Sequence, residues 1–156
     1  MNQIKKILAP TDYSELSCVG LRHAFETAYE TGAELMLLHV IDVSKDWFGK
    51  HENLGPARTL MAEQTTFLDK FLREKFADFM NLVEVRQKVE FGGAAVNIAD
   101  LAEREGVDVI MMATHGRTGL DHMLLGSVTE KVIAHASCPV LAIPANKADG
   151  PVQRAA

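Results

Sequence analysis

The residues best suited to chemistry lie at positions 111–132, which read MMATHGRTGLDHMLLGSVTEKV. An apolar run ends at Ala113, glycines follow at positions 116, 119 and 126, and a helical pattern begins at Ser127. Glycines between a strand and a helix let the backbone approach a ligand closely. The free amides and the dipole of a helix N-terminus favour an anion. The stretch therefore predicts a phosphate site at Gly126.

Side chains around this glycine can contribute to the same site. The hydroxyls of Ser127 and Thr129 can donate hydrogen bonds to phosphate oxygens, and Arg117 can add positive charge. His115 is the candidate proton acceptor in the loop. A structural interpretation stays open, because Ser127 and Glu130 have the spacing of a capping box that only stabilises the helix.

The stretch lacks the sequence of a P-loop. Neither G-x-x-x-x-G-K-[ST] nor G-x-G-x-x-G occurs, and no lysine precedes Ser127. Amides and hydroxyls would then hold the phosphates, and a divalent ion such as Mg or Mn would offset their charge. Asp12 is the candidate to face that ion or a ribose, and it is equally suited to cap the first helix. The remaining histidines have no metal-ligand spacing, so core or surface positions are predicted for His23, His39, His51, His122 and His135.

The pattern along the chain alternates strands with helices. Strands are predicted near 4–9, 34–41, 83–91, 107–113 and 139–144, and helices near 14–31, 56–80, 94–105 and 127–136. The second and fourth strands are continuously apolar, as in buried parallel strands. Charged residues alternate through the third strand, as at a sheet edge. One domain is predicted over 1–145, and a disordered tail over 146–156.

Single helices between successive strands predict an α/β fold with a doubly wound parallel sheet and helices on both faces. The five strands fit the order 3-2-1-4-5. Such folds bind ligands where the strand order reverses, between the carboxyl ends of strands 1 and 4. Pro10, Thr11 and Asp12 follow strand 1, and the glycine-rich stretch follows strand 4. Both are therefore predicted to meet at one crevice.

Composition limits the classes of function. The chain has 156 residues, of which 47% are apolar and 24% charged, as in one globular domain. A net charge of -5 gives no global attraction to nucleic acid or anionic membranes, so neither partner is expected. No apolar run approaches the ~20 residues of a membrane helix, and the start, MNQIKKILAP, is too short an apolar run for a secretory signal. Cys18 and Cys138 are predicted to be buried or free thiols of a cytoplasmic protein.

Taken together, these motifs resemble those of the universal stress protein family. The resemblance covers nearly the whole chain and rests on K-I-L-A-P-T-D-Y-S, L-L-H-V-I-D, A-T-H-G-R-T-G-L and L-L-G-S-V-T-E. The nucleotide-binding branch of the family carries G-x-x-G, nine residues, and then G-[ST]. Gly116, the next nine residues and Gly126-Ser127 match the second half of that pattern. Ala113 stands where the first glycine is expected.

The resemblance implies a dimer whose subunits bind ATP or another adenine nucleotide. By matching positions, the residues around adenosine would be Pro10, Thr11, Asp12 and Val40. Those along the ribose and phosphates would be Met112, Ala113, His115 and Gly116. Those that bind the phosphates would be Gly126, Ser127, Val128 and Thr129.

The last strand is the expected dimer interface. The strand at 83–91 carries four charges, which discourage edge pairing, whereas the segment from Val140 to Ile143 carries none. Pro139 and Pro144 bracket this segment and limit its growth into a longer sheet. Antiparallel pairing with a second copy across a two-fold axis is therefore predicted.

The sequence leaves several functions open. The first is an ATP-binding sensor or regulatory module, read by a protein partner that the sequence does not name. The second is a slow ATP hydrolase, against which no lysine, arginine finger or well-placed base is evident. The third is a structural stress-response dimer that has lost nucleotide binding. Ala113 keeps this third function open, although we expect it to weaken nucleotide binding and not to abolish it.

Overall fold

A computed structural model of the chain describes residues 3–42, 55–115 and 125–145. The strands are β1 (Lys6–Pro10), β2 (Glu34–Ile41), β3 (Val85–Phe91), β4 (Val109–Ala113) and β5 (Val140–Ile143). The helices are α1 (Glu15–Thr31), α2 (Gly55–Lys75), α3 (Ala94–Glu105) and α4 (Ser127–His135). The predicted tail and the predicted site residues Gly116 and Arg117 lie outside the described residues.

The strands form one parallel sheet in the order β3-β2-β1-β4-β5. This order confirms the predicted doubly wound fold and its reversal between β1 and β4. Ile7 of β1 pairs with Leu35 of β2 on one side and with Val109 of β4 on the other. The third strand lies at an edge, as its alternating charges predicted.

Each face of the sheet is covered by its own hydrophobic layer. Successive strand residues point to opposite faces. Ile7 accordingly packs with Phe25 of α1 and Leu68 of α2, whereas Leu8 packs with Leu101 of α3 and residues of α4. The helices on both faces are thus arranged as predicted. None of the helices in the described part of the chain is both long and apolar enough to cross a bilayer.

The second helix ends earlier than its sequence pattern predicted. The prediction extended it to Met80, but α2 ends at Lys75 and tight turns follow, with the Phe79 amide donating to Phe76 O at 2.9 Å. These turns bury both rings against Phe25, with centroid distances of 4.9 Å for Phe76 and 5.3 Å for Phe79. Burial of two aromatic side chains therefore overrides continuation of the helix.

Both cysteines are free and half-buried. Burial raises the pKa of the Cys18 thiol to about 11 and raises the pKa of the Cys138 thiol as well. Because the thiolate is the reactive form, neither side chain is an activated nucleophile near neutral pH. The prediction of buried or free thiols is confirmed.

Candidate functional site

A cavity of about 370 Å³ opens at the carboxyl ends of the strands, where the strand order reverses. Its volume is within the range of small-molecule sites. The strand ends contribute Pro10, Thr11, Asp12, Leu38, Val40, Asp42, Met112, Ala113 and His115. The helices contribute Ser17, Ala94, Ile98, Ser127, Val128 and Thr129, and Gly126 stands just before α4. The predicted crevice thus exists at the predicted place.

Every predicted site residue in the described ranges lines this one cavity. The sequence analysis missed Ser17, Leu38, Asp42, Ala94 and Ile98. Two of these had a local signal: Leu38 lies two residues before Val40 and so faces the same side of β2, and Asp42 ends the L-L-H-V-I-D motif. Ala94 and Ile98 had none, because only the strand order brings the start of α3 to this edge of the sheet.

Ser14, and not Asp12, caps the first helix. The Ser14 hydroxyl accepts the Ser17 amide at 3.1 Å. Asp12 Oδ1 accepts the Ser14 amide at 3.0 Å and also the Ser14 hydroxyl. The capping role proposed for Asp12 is therefore wrong, since this carboxylate orients the residue that does the capping. Asp12 is half-buried in the wall of the cavity.

The hydroxyl groups of this wall use their protons within the fold. The Ser17 hydroxyl donates to Ser14 O at 2.8 Å. Because a serine hydroxyl has one proton, the 3.0 Å contact between Thr11 Oγ1 and Ser17 Oγ has Thr11 as the donor. Thr11 Oγ1 in turn accepts the Tyr13 amide at 3.0 Å. These side chains stiffen the wall and have no hydroxyl proton left to donate to an anion.

His39 ties the same wall to the second strand. Its Nδ1 lies 2.9 Å from Thr11 O, and the Thr11 amide donates to Leu38 O at 2.9 Å. The imidazole is buried, with 6% of its surface exposed. His39 is thus a core residue of the kind that the sequence predicted.

The start of α4 has no side-chain cap. Gly126 is the N-cap, with φ -70° and ψ 156°, and Ser127 is the first helical residue. The capping box predicted for Ser127 and Glu130 is therefore wrong, and the first helical bond runs from the Glu130 amide to Gly126 O at 3.0 Å. Within the described ranges, no acceptor is found for the amides that precede this bond, those of Ser127, Val128 and Thr129.

Gly126 is required by close packing against the end of β4. Its amide donates to Thr114 O at 2.7 Å, and a Cβ at this position would lie 2.9 Å from the same oxygen. Thr129 reinforces this packing, because its hydroxyl proton is shared between Ala113 O at 3.1 Å and Thr114 O at 3.3 Å. The expected donation from the Thr129 hydroxyl to phosphate is therefore not available in this arrangement. The side chain of Ser127 is exposed at the cavity.

Residues 3–144 match the sequence model of the universal stress protein family. The chain belongs to this family. Universal stress protein MJ0531 of Methanocaldococcus jannaschii is 34% identical, in an alignment that covers 91% of this chain and 83% of that protein. Universal stress protein MJ0577 of the same organism is 36% identical, in an alignment that covers 89% of this chain and 94% of that protein. The resemblance inferred from the motifs is confirmed.

Solved structures share the fold of this universal stress protein. A structure of MJ0577 has a TM-score of 0.78 at 33% identity and covers 93% of this chain and 99% of that chain. A crystal structure of a universal stress protein in complex with cAMP has a TM-score of 0.62 at 16% identity. It covers 93% of this chain and 100% of that chain.

In this universal stress protein, the backbone at position 113 does not need glycine. Ala113 ends β4 in extended conformation and is not among the residues with positive φ. The helix that approaches the backbone of Ala113 closely is α1. A Cβ on Gly20 would lie 2.6 Å from Ala113 N, so Gly20 lets α1 pack directly on the β4 backbone. The departure from the family pattern at Ala113 therefore causes no backbone strain.

The charged groups of the cavity that the structure describes are carboxylates. Asp12 and Asp42 line it, and no lysine or arginine does so within the described ranges. His115 Nδ1 lies 3.0 Å from Thr114 Oγ1. In the same ranges, no cluster of three histidine, cysteine, aspartate or glutamate residues could hold a metal ion. A divalent ion at Asp12 would therefore need oxygen ligands from a bound molecule and from water.

Proposed function

We propose that the cavity binds an adenine nucleotide, with ATP as the main ligand, and that the protein is a regulatory or sensor module. The observation that carries this proposal is the open start of α4. Ser127, Val128 and Thr129 line a cavity of ligand size, and their amides have no acceptor among the described residues. Helix amides in this state favour a phosphate.

The phosphates are assigned to the start of α4. Hydrogen bonds to charged groups contribute ~1.5–3 kcal/mol each, so the Ser127, Val128 and Thr129 amides together can supply substantial affinity. The exposed Ser127 hydroxyl can donate one more bond. We assign Gly126 to the close backbone approach at the helix start, and Gly116 and Arg117 to the same phosphate end.

The adenosine is assigned to the less polar part of the cavity. Apolar side chains can contact the faces of a planar base, and those in the lining include Pro10, Leu38, Val40, Ile98 and Met112. Carboxylates accept hydrogen bonds from ribose hydroxyls, a role open to Asp12 and Asp42. The complex of a universal stress protein with cAMP supports an adenine nucleotide as the ligand, because that protein has the same fold. We assign the path from ribose to phosphates to Thr11, Met112, Ala113 and His115.

A divalent ion fits the site as a companion of the phosphates. Mg is commonly bound through one or two carboxylates together with phosphate and water oxygens. Asp12 offers such a carboxylate, oriented by its bond to the Ser14 amide. We infer that Mg or Mn binds together with the nucleotide, and that its role when bound is to offset phosphate charge.

ATP hydrolysis is expected to be slow or absent. Amides that bind ground-state phosphates and the transition state equally do not raise the chemical rate. Apart from Arg117, which lies outside the described residues, no lysine or arginine is assigned to the phosphates to stabilise a transferring phosphoryl group. A slow ATP hydrolase is the alternative function, and His115 is its candidate base. A turnover above ~1 per second that is lost in His115→Ala would support that alternative.

A second copy of the chain is proposed to pair with β5. This strand lies at an edge of the sheet, and Leu141 is 50% exposed there. Ile143 is buried in the core, so Leu141→Lys is the cleaner variant for testing the edge. Light scattering should show a dimer for the parent and a shift toward monomer for Leu141→Lys. A parent that is monomeric at micromolar concentration would contradict the pairing.

We also infer a cytoplasmic location, where thiols stay reduced.

The nucleotide proposal is tested by Ser127→Asp, with Ser127→Asn as its control. Aspartate suits the first turn of a helix, so the charged variant should fold as stably as the parent. Its carboxylate would repel phosphates held by the neighbouring amides. Isothermal titration should show ATP affinity about a hundredfold weaker, or ~2.7 kcal/mol, for Ser127→Asp and less than about tenfold weaker for Ser127→Asn. Equal affinity of Ser127→Asp and the parent, or no binding by the parent, would contradict the proposal.

A further inference from the structure

The turn after β1 contains a backbone conformation that tyrosine rarely adopts. Tyr13 has a φ of 65°, and no other non-glycine residue in the described ranges has a positive φ. A side chain with a Cβ is disfavoured in this left-handed region. Such residues persist where the surrounding structure holds them, and they often lie at functional sites.

The ring of Tyr13 is clamped between β2 and α2. It stacks on the His39 imidazole, with 4.2 Å between ring centroids and 27° between ring planes. The rings of Phe67 and Phe71 meet it edge-on, at centroid distances of 4.7 and 5.1 Å. Aromatic pairs at these separations attract each other beyond the effect of surface burial. The clamp is continuous with the cavity wall, because His39 Nδ1 lies 2.9 Å from Thr11 O.

The backbone of Tyr13 stands between Asp12, which lines the cavity, and Ser14, which caps α1. The Ser14 amide donates to Asp12 Oδ1 at 3.0 Å, so this bond closes over both backbone dihedral angles of Tyr13. Rotation of Tyr13 to the common extended region would break the bond. Asp12 would then lose the contact that orients its carboxylate, and Ser14 would lose the geometry in which it accepts the Ser17 amide at 3.1 Å.

We propose that Tyr13 is a positioning residue for the cavity. Its ring, clamped by His39, Phe67 and Phe71, holds the left-handed turn that places the Asp12 carboxylate in the cavity wall. The effect on ligand affinity rests on the proposed nucleotide function, whereas the effect on the turn does not. Helix α2 thereby contributes to the site through Phe67 and Phe71, neither of which is a lining residue in the described part of the cavity.

A set of variants separates the ring from the strained backbone. Tyr13→Phe keeps the ring, and Tyr13→Ala removes it while keeping a Cβ in the left-handed region. Tyr13→Gly also removes the ring, but glycine adopts a positive φ without penalty. The matched control is Tyr29→Ala, which truncates the other tyrosine of the chain, a residue of α1 that is 51% exposed.

Two readouts are measured on each variant: amide hydrogen exchange without ligand, and ATP affinity by titration calorimetry. Exchange at Ser14 and Ser17 should be at least about tenfold faster in Tyr13→Ala, because their acceptors move. ATP affinity should fall about tenfold in Tyr13→Ala, which corresponds to ~1.4 kcal/mol. Tyr13→Gly needs no ring to hold a positive φ and should change less than Tyr13→Ala in both measurements. Tyr13→Phe and Tyr29→Ala should behave like the parent in both measurements.

Parent-like exchange and affinity in Tyr13→Ala would overturn the proposal, since the ring would be dispensable. Faster exchange with unchanged ATP affinity would also overturn it, because the turn would then be structural alone. If the parent bound no ATP, the proposed function would fail, and exchange at Ser14 and Ser17 would decide the role of the ring. If Tyr13→Ala did not fold, Phe67→Ala would replace it, because Phe67 is 49% exposed. Unchanged exchange at Ser14 in that variant would overturn the clamp.

Discussion

Two connections from a strand to a helix meet at the cavity, and they differ in how the first amides of the helix are capped. After β1, Ser14 accepts the Ser17 amide at 3.1 Å, and Asp12 holds Ser14 in place. Before α4 the cap is Gly126, which has no side chain, and the amides that follow it have no acceptor among the described residues. In the described ranges, a side chain caps one amide of the helix after the first connection, that of Ser17, and none after the second.

This difference separates the scaffold of the site from its proposed recognition element. The connection after β1 is rich in hydroxyl and carboxylate groups, which by residue type suit ligand binding. Their hydrogen bonds are nevertheless made within the fold. The connection before α4 begins with a glycine and leaves backbone donors open. Open helix amides are the basis for placing the anion at α4, and the start of α3 at Gly93, which also lacks a side-chain cap, is a second such position at the cavity.

The largest expected effect on stability comes from disrupting the close packing of Gly126 against the end of β4. Gly126→Ala places a Cβ 2.9 Å from Thr114 O, whereas Gly93, the N-cap of α3, has nothing within 4 Å of the same position. Both substitutions replace a glycine cap by alanine, so their difference isolates the clash. We expect Gly126→Ala to be less stable than Gly93→Ala by ~1–3 kcal/mol in urea denaturation. Equal stabilities would show that α4 can move away from β4 without cost.

Because Gly126 packs closely against Thr114 O, a larger side chain at position 126 does not test ligand binding alone. If Gly126 served only to approach a phosphate, Gly126→Val would stay folded and lose only ATP binding. The distance to Thr114 O indicates that stability and binding would fall together. For this reason Ser127, which is exposed, is the better position for separating the two properties.

A smaller effect is expected from removing the cap of α1. Ser14→Ala deletes the acceptor of the Ser17 amide and should destabilise the protein by ~1 kcal/mol. Ser127→Ala deletes a hydroxyl that does not cap α4, so its stability should stay within ~0.5 kcal/mol of the parent. Thermal and urea unfolding of the two variants make the comparison. A larger loss in Ser127→Ala than in Ser14→Ala would reverse the assignment of scaffold and recognition element.

The smallest effect is expected at the end of β4. Ala113→Gly removes one methyl group from the cavity lining and should tighten ATP binding by no more than about tenfold. The extended backbone there accommodates alanine, so no strain is relieved by glycine. Titration calorimetry measures the change. Weaker binding in Ala113→Gly would show that the methyl group contacts the ligand favourably.

The sequence was sufficient to predict the sheet and the position of the cavity. Apolar runs mark β2 and β4, alternating charges mark β3 as an edge, and parallel topology brings the ends of β1 and β4 together. Each of these signals depends on periodicity within a segment, which tertiary contacts rarely change.

The capping pattern was not predictable in the same way. Asp12 and Ser14 are both favourable N-cap residues two positions apart, and Gly126 and Ser127 are adjacent candidates. The choice between them depends on side-chain directions and on packing. Gly20 had no local signal at all, because its reason lies in the Ala113 backbone of a distant strand. The end of α2 depends in the same way on the place of Phe25 in the core.

The most direct test of the comparison is an NMR titration of backbone amides with ATP and Mg, with adenosine as the control ligand. ATP should shift the amides of Ser127, Val128 and Thr129 strongly, because they lack an acceptor in the described chain, and should shift the Ser17 amide less, because Ser14 accepts it. Adenosine, which has no phosphate, should leave the α4 amides unshifted. If ATP and adenosine shift the same residues, or if ATP leaves Ser127, Val128 and Thr129 unshifted, the open start of α4 is not the phosphate site.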